Sequence, residues 1–217
     1  MSGPGRLELW DGAPDVGNMV TANDVDFEDV QQGYFTAKQA IAAGFDQHNH
    51  PYHVRAANWI RKRRGIYRLA LFPPADRPDL VIWSLWARDR KGTSQGTFSH
   101  ETALSIYELS DAMPAALHMT VPPGFRRMAP IPKGLTLHRG SPIKEDIEDR
   151  HGYQLTRPLR TLADLLEEGR ISPDLLRQAV QEAFERGLIR PASIQRATHL
   201  PPPVREKMEK LLKETAR

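Results

Sequence analysis

The chain has 217 residues, 40% of them apolar and 26% charged, with a formal net charge of +3, a profile that suits a globular protein of one large or two small domains. It has no cysteine, which excludes disulfides, thiol nucleophiles and thiolate-bound zinc. No run approaches the ~18 apolar residues needed to span a bilayer, and the opening MSGPGRLELWDG lacks the basic stretch and apolar run of an export signal, so no membrane association and a cytoplasmic protein are expected.

Charge is unevenly spread. Residues 1–35 carry Glu8, Asp11, Asp15, Asp24, Asp26, Glu28 and Asp29 against Arg6 alone. From Gln47 to Ala75 there is no acid, whereas Arg55, Arg61, Lys62, Arg63, Arg64 and Arg68 are cationic. Such polarity concentrates a positive field on one part of the chain and attracts anions.

Residues 1–22, rich in Gly, Pro and scattered acids, are expected to be disordered. A short helix is expected over 23–32. In TAKQAIAAGF Thr36 caps a helix, Gln39 completes the capping box and Gly44 stops it, with Ala37, Ala40 and Ile41 as the buried stripe. In FDQHNHPYHVRAAN Asn49 is a candidate N-cap, and Pro51 fits only the first turn of a helix. Val54 and Ala57 then face inward, leaving His50, His53 and Arg55 toward the outside. Trp59-Ile60-Arg61-Lys62 and Ile66-Tyr67-Arg68-Leu69 bracket Arg63-Arg64-Gly65, the pattern of a hairpin with a glycine-containing turn.

Helix, turn, helix and basic hairpin make a winged helix-turn-helix over 23–74. Pro73-Pro74 and Asp76-Arg77-Pro78 mark a boundary, and a mixed α/β domain over 78–217 follows, giving an α+β chain that ends in helices. Its expected elements are a helix over 80–87, a helix over 100–109 capped by Ser99, strands at 117–121 and 135–138, and a strand pair within 147–155. The C-terminal third is helical: one helix containing Leu162, Leu165 and Leu166 ends at Gly169, Ser172-Pro173 opens another, and Pro191 opens a short one. After Pro201-Pro202-Pro203 comes an amphipathic helix with Val204, Met208, Leu211 and Leu212 at helical spacing, whose apolar face suits docking on the domain, a second subunit or another protein.

The stretches GYFTAKQAIAAG, RRGIYRL, FSHETALSIYELSDAMPAALHMTVP and LTRPLRTLADLLEEG, in this order and spacing over about 33–190, resemble the AbiEi-type antitoxin and transcriptional-regulator family of bacterial type IV toxin–antitoxin loci. The resemblance implies a winged helix before an antitoxin domain, repression of the chain's own operon, and counteraction of a nucleotidyltransferase-like toxin encoded next door. The partners expected are double-stranded DNA of the own promoter, that toxin, and a second copy of the chain in a homodimer.

A recognition helix enters the major groove while a wing touches backbone or the minor groove. Gln47, His50, Tyr52, His53 and Arg55 are therefore the candidates for base edges, and Arg61, Lys62, Arg63 and Arg64 for phosphates or a narrow minor groove. The alternative, from a different class, is a protein-interaction module that neutralises a toxin by direct contact, with DNA binding secondary.

Three other patterns point to blander readings. His48, His50 and His53 have H-x-H-x-x-H spacing, but zinc wants a fourth ligand and no cysteine supplies it, so no metal is expected. Ser99-His100-Glu101 resembles a catalytic set, yet neighbours on one helix diverge where a triad must converge. The mixed-sign run from Lys144 to Arg150 reads as solvated, and Arg160 with Asp164 as a surface i,i+4 pair. With no glycine-rich phosphate loop or paired-carboxylate motif, neither enzyme activity nor a cofactor is expected.

Overall fold

The structure, a computed structural model, describes residues 31–215 apart from Pro74, Ala112 and Ala129. The expected disorder of 1–22 and nearly all of the helix expected over 23–32 lie outside the described residues. The fold is mixed, of the α+β class, with two sheets and eight α-helices among the described residues.

The first sheet contains β1 (Tyr34–Thr36), β2 (Trp59–Arg63) and β3 (Ile66–Leu69), all antiparallel in the order β1-β3-β2. Between β1 and β2 lie α1 (Ala37–Ala42), a 3-10 turn at Gln47–Asn49, and α2 (His50–Arg55). The capping box forms as expected: Gln39 N–H donates to Thr36 Oγ1 at 3.2 Å, and Thr36 N–H to Gln39 Oε1 at 2.9 Å. The hairpin turns at Gly65, whose φ of +72° is open to glycine at little cost. A bulge between Arg61 and Arg63 adds twist to the hairpin.

This unit has its own aromatic core. Trp59, 4% exposed, lies 4.5–5.5 Å between ring centroids from Phe35, Phe45, His50, His53 and Tyr67. Two expectations fail around it. Ile41 is 47% exposed because α1 has only six residues, so one face position, Ala40, suffices to seat it. Ala57 is exposed with φ +59°; α2 ends at Arg55, and Ala57 belongs to the turn that leads into β2.

The second sheet has the order β6-β5-β4-β8-β7, from β4 (Thr97–Phe98), β5 (Leu117–Val121), β6 (Leu135–Arg139), β7 (Ile147–Arg150) and β8 (Tyr153–Thr156). β5 runs parallel to β6, and β4 parallel to β8; the remaining pairs are antiparallel. Helices α3 (Pro78–Trp86), α4 (His100–Ile106), α5 (Pro158–Glu168), α6 (Pro173–Glu185), α7 (Pro191–Arg196) and α8 (Pro202–Thr215) surround it. Proline at the first turn starts α3, α5, α6 and α7, where its missing N–H costs nothing. Phe98, Leu104, Met119, Leu155, Leu162 and Leu165 are the centre of the main core. Val204, Met208 and Leu212 of α8 are buried in that same core, so the last helix docks on its own domain.

The two units are packed together. Tyr34 and Ile66 of the first sheet belong to the main core, and α3 contacts β1, β3 and β8. Arg88 donates to Gln31 across the junction.

The charged run is exposed at Lys144, Glu145, Asp149 and Arg150 as expected, but Asp146 within it is buried, and the Arg160–Asp164 pair expected at the surface is largely internal. Asp146 and Asp164 are each 6% exposed. Arg160 Nε donates to Asp164 Oδ1 at 2.8 Å, and His199 Nε2 lies 3.0 Å from both Asp146 carboxylate oxygens. The apolar neighbours of α5 turn its Arg160–Asp164 edge inward, a consequence of packing that i,i+4 spacing does not encode.

Candidate functional site

The cationic hairpin emerges at one edge of the first sheet. Arg61, Lys62 and Arg64 are exposed, and none of the ion pairs among the described residues involves them. Arg63 behaves differently: its guanidinium carbon sits 4.7 Å above the Trp83 ring of α3, a cation–π contact that draws it from the tip back to the body. Gln47 in the 3-10 turn before α2, and Tyr52 and Arg55 on α2, are exposed, Tyr52 by 52%.

The two histidines expected to read bases do not face outward. His50 is 4% exposed, its ring centroid 5.2 Å from that of Trp59 and 5.9 Å from Tyr67. His53 stacks on Trp59 at 4.5 Å with its edge toward Phe45, and burial, with the nearby His50, lowers its pKa and favours the neutral ring. The periodicity explains the correction. Residues four apart share a helix face, so the turn that brings Val54 inward also brings in His50. Exposed His48 and buried His50 have no common ligand position; the groups able to hold a metal among the described residues lie elsewhere.

They lie in the second unit, on the helices and strands expected at 100–109, 117–121 and 135–138 and before Gly169, to which the sequence assigns no chemistry. Ser99 occupies the N-cap position of α4 without making a side-chain cap. Its hydroxyl instead lies 2.7 Å from Thr120 Oγ1 and 2.8 Å from His100 Nδ1. His100 has φ +51°, a left-handed conformation that costs ~1–3 kcal/mol outside glycine and tends to occur at functional positions. This reversal folds the imidazole back over Ser99, so Ser99, His100 and Glu101 serve one cluster despite being neighbours. Ser99 is 0% exposed, and its hydroxyl positions the ring.

His118 of β5 and His138 of β6 complete the group. In the register His118 pairs with Thr136 and Thr120 with His138, so the two histidines are diagonal neighbours on one face of a parallel pair. His138 stacks on His100 with centroids 3.6 Å apart and on His118 at 5.1 Å. Glu168, at the end of α5, approaches His100 Nε2 at 3.8 Å and His138 Nδ1 at 3.9 Å. Glu101 Oε2 lies 3.0 Å from His118 Nδ1. Burial pushes the His100 pKa down to about 3, aided by His138 and His118, and burial also lowers that of His138. Burial therefore favours the neutral form of both rings. The signal in the sequence was three histidines, one on an expected helix and two on expected strands; what it lacked was the strand order and register.

No family model matches the chain, and no curated protein matches it. Among solved structures, the crystal structure of the RV2827C protein from Mycobacterium tuberculosis is similar, with a TM-score of 0.53 and 14% identity over 85% of this chain and 72% of that one. The likeness is one of fold.

Proposed function

We propose that the first unit is a winged helix that binds double-stranded DNA, and that the chain is a DNA-binding regulator of the AbiEi antitoxin kind acting on its own promoter. The observation that carries this reading is the exposed cationic hairpin of Arg61, Lys62 and Arg64, set beside the exposed side chains of α2 on a sheet ordered β1-β3-β2. α2 serves as the recognition helix, with Tyr52 and Arg55 on it and Gln47 in the turn before it toward the base edges. Arg61, Lys62 and Arg64 serve as the wing, touching phosphates. His50 and His53 hold the helix on Trp59 and support the surface from behind. Counteraction of a nucleotidyltransferase-like toxin, and binding as a homodimer, rest on the sequence resemblance.

The test is fluorescence anisotropy of the full chain with its promoter region against a scrambled duplex of equal length, at two salt concentrations. Selective binding that is lost in Lys62→Ala/Arg64→Ala supports the reading. Equal weak binding to both duplexes, or none, would refute it and favour neutralisation by protein contact.

A further inference from the structure

The histidine cluster lies in the second unit, apart from the cationic hairpin and α2. Its members come from four elements: His100 and Glu101 from α4, His118 from β5, His138 from β6 and Glu168 from α5. The side chains are largely enclosed, with 8% exposure for His100, 16% for His118, His138 and Glu168, and 20% for Glu101.

Three features set it apart from an ordinary buried polar network. The first is crowding. His118 Nδ1 lies 2.9 Å from His138 Nε2 and 3.0 Å from Glu101 Oε2. One ring nitrogen carries either a single hydrogen or a single lone pair, so it cannot satisfy both neighbours. Separations of about 3 Å are those of atoms sharing one ion at bond lengths of about 2.0–2.2 Å.

The second is unmet demand. Glu101 Oε2 and Glu168 Oε2 are buried without a hydrogen-bond partner, which is costly for a carboxylate. The cation recorded beside Glu168 is Arg170, 3.4 Å away and itself 77% exposed. The third is orientation. With Nδ1 of His100 engaged by Ser99 Oγ, its Nε2 is directed at Glu168 Oε2 across 3.8 Å, too far for a hydrogen bond. A hydrogen-bond acceptor on the far nitrogen, most often a carboxylate, carbonyl or water, is also what orients a metal-binding imidazole, and Ser99 Oγ stands in that position.

The donor atoms of His100, His138 and Glu168 lie within 4.8 Å of one another, as do those of Glu101, His118 and Glu168. Glu168 belongs to both sets, and rotation of the His100 and His138 rings out of their present stack, 14° from parallel, would turn their donor nitrogens toward it. We propose that this cluster binds a divalent transition-metal ion of the zinc class, through the imidazoles of His100, His118 and His138 and the carboxylate of Glu168, with Glu101 alongside. Three imidazoles and a carboxylate suit zinc, cobalt or nickel, whereas magnesium and calcium require oxygen donors. The ion ties α4, β5, β6 and α5 together, so its binding also stabilises the second unit.

The experiment uses the full chain without a histidine tag, stripped by a chelator and titrated with zinc against a chromophoric chelator. A parallel titration with Co2+ is followed by visible absorption. The expected result is at least one ion per chain with a dissociation constant below about 1 µM, and a higher thermal midpoint. Intense d–d bands of four- or five-coordinate Co2+ are expected, unaffected by excess magnesium. Glu168→Gln and His138→Ala each weaken binding by about 10-fold or more, and His48→Ala leaves it unchanged. Unaltered affinity in both cluster variants, or loss in His48→Ala alone, would place the ion on the surface and overturn the proposal. Where a cluster variant does not fold, the wild-type spectrum decides: only the weak bands of hydrated Co2+ overturn it too.

Discussion

Replacing Trp59 by alanine tests whether the first unit depends on its own core. Trp59 is 4% exposed and meets five rings, Phe35, Phe45, His50, His53 and Tyr67. Truncating a buried tryptophan costs ~3–5 kcal/mol. The buried apolar residues around it among the described residues are Phe35, Ala40 and Tyr67, a small set with little to collapse into the void, and the upper half of that range is expected. A domain holds about 0.05–0.15 kcal/mol per residue, which gives a unit of about 40 residues only ~2–6 kcal/mol. Trp59→Ala therefore removes most or all of what holds β2 and β3 in place, while Phe98, Leu104, Met119, Leu155 and Leu162 in the main core remain untouched. Hydrogen exchange read by mass spectrometry should show loss of amide protection over 59–69 with protection over 117–121 and 153–156 retained. DNA binding should disappear with it. Retained protection over 59–69, or a loss of stability below ~1 kcal/mol, would refute the reasoning; simultaneous loss across both sheets would mean that Tyr34 and Ile66 fuse the two units into one cooperative body.

The cations separate by role. Arg64→Ala should lower the slope of log K against log salt by about 0.9, whereas Arg63→Ala, whose side chain rests on Trp83, should leave the slope unchanged and cost about 0.5–1 kcal/mol of stability; equal slopes in both variants would dissolve the distinction. Asp164 is pushed up to about 6 from 3.8, chiefly by burial and against the pull of Arg160, with Glu167 and Asp146 also raising it; His199 faces the same network through Asp146. A raised carboxyl binds its proton more tightly in the native than in the unfolded chain, so its contribution is absent above pH 6 and grows as pH falls from 6 toward 3.8. At about 1.4 kcal/mol per unit the gain is about 1–3 kcal/mol; the stability difference between wild type and Asp164→Asn should widen by that amount from pH 7 to pH 4, and a flat difference would remove Asp164 from the account. A Cβ at Gly96 would meet Ala87 Cβ at 3.0 Å and Met119 Sδ closer still, so Gly96→Ala should destabilise by about 1–3 kcal/mol. The penalty should shrink by more than ~0.5 kcal/mol beside Met119→Ala in a double-mutant cycle; strict additivity would mean that Met119 moves aside freely.

Local chemistry was legible wherever one residue type admits one geometry. Thr36 with Gln39 closes its capping box, Gly65 and Gly169 take positive φ, and Ser172 accepts from Leu175 N–H. The apolar spacing of Val204, Met208 and Leu212 gave α8 and its buried face. These are short-range consequences of backbone sterics and side-chain reach, and they need no knowledge of the rest of the chain.

What only tertiary structure decided was which polar residues met one another. His50 and His53 followed Trp59 into an aromatic core, and Arg63 was drawn back by a helix beginning at Pro78. Asp146 and Asp164 were buried by the helices closing over them. His100, His118, His138 and Glu168 became neighbours through a strand order, β6-β5-β4-β8-β7, that no local pattern specifies. Periodicity told which face of a strand His118 and His138 occupy; register, fixed by the pairing of β5 with β6 and by the packing of α4 and α5 over them, told that those faces coincide.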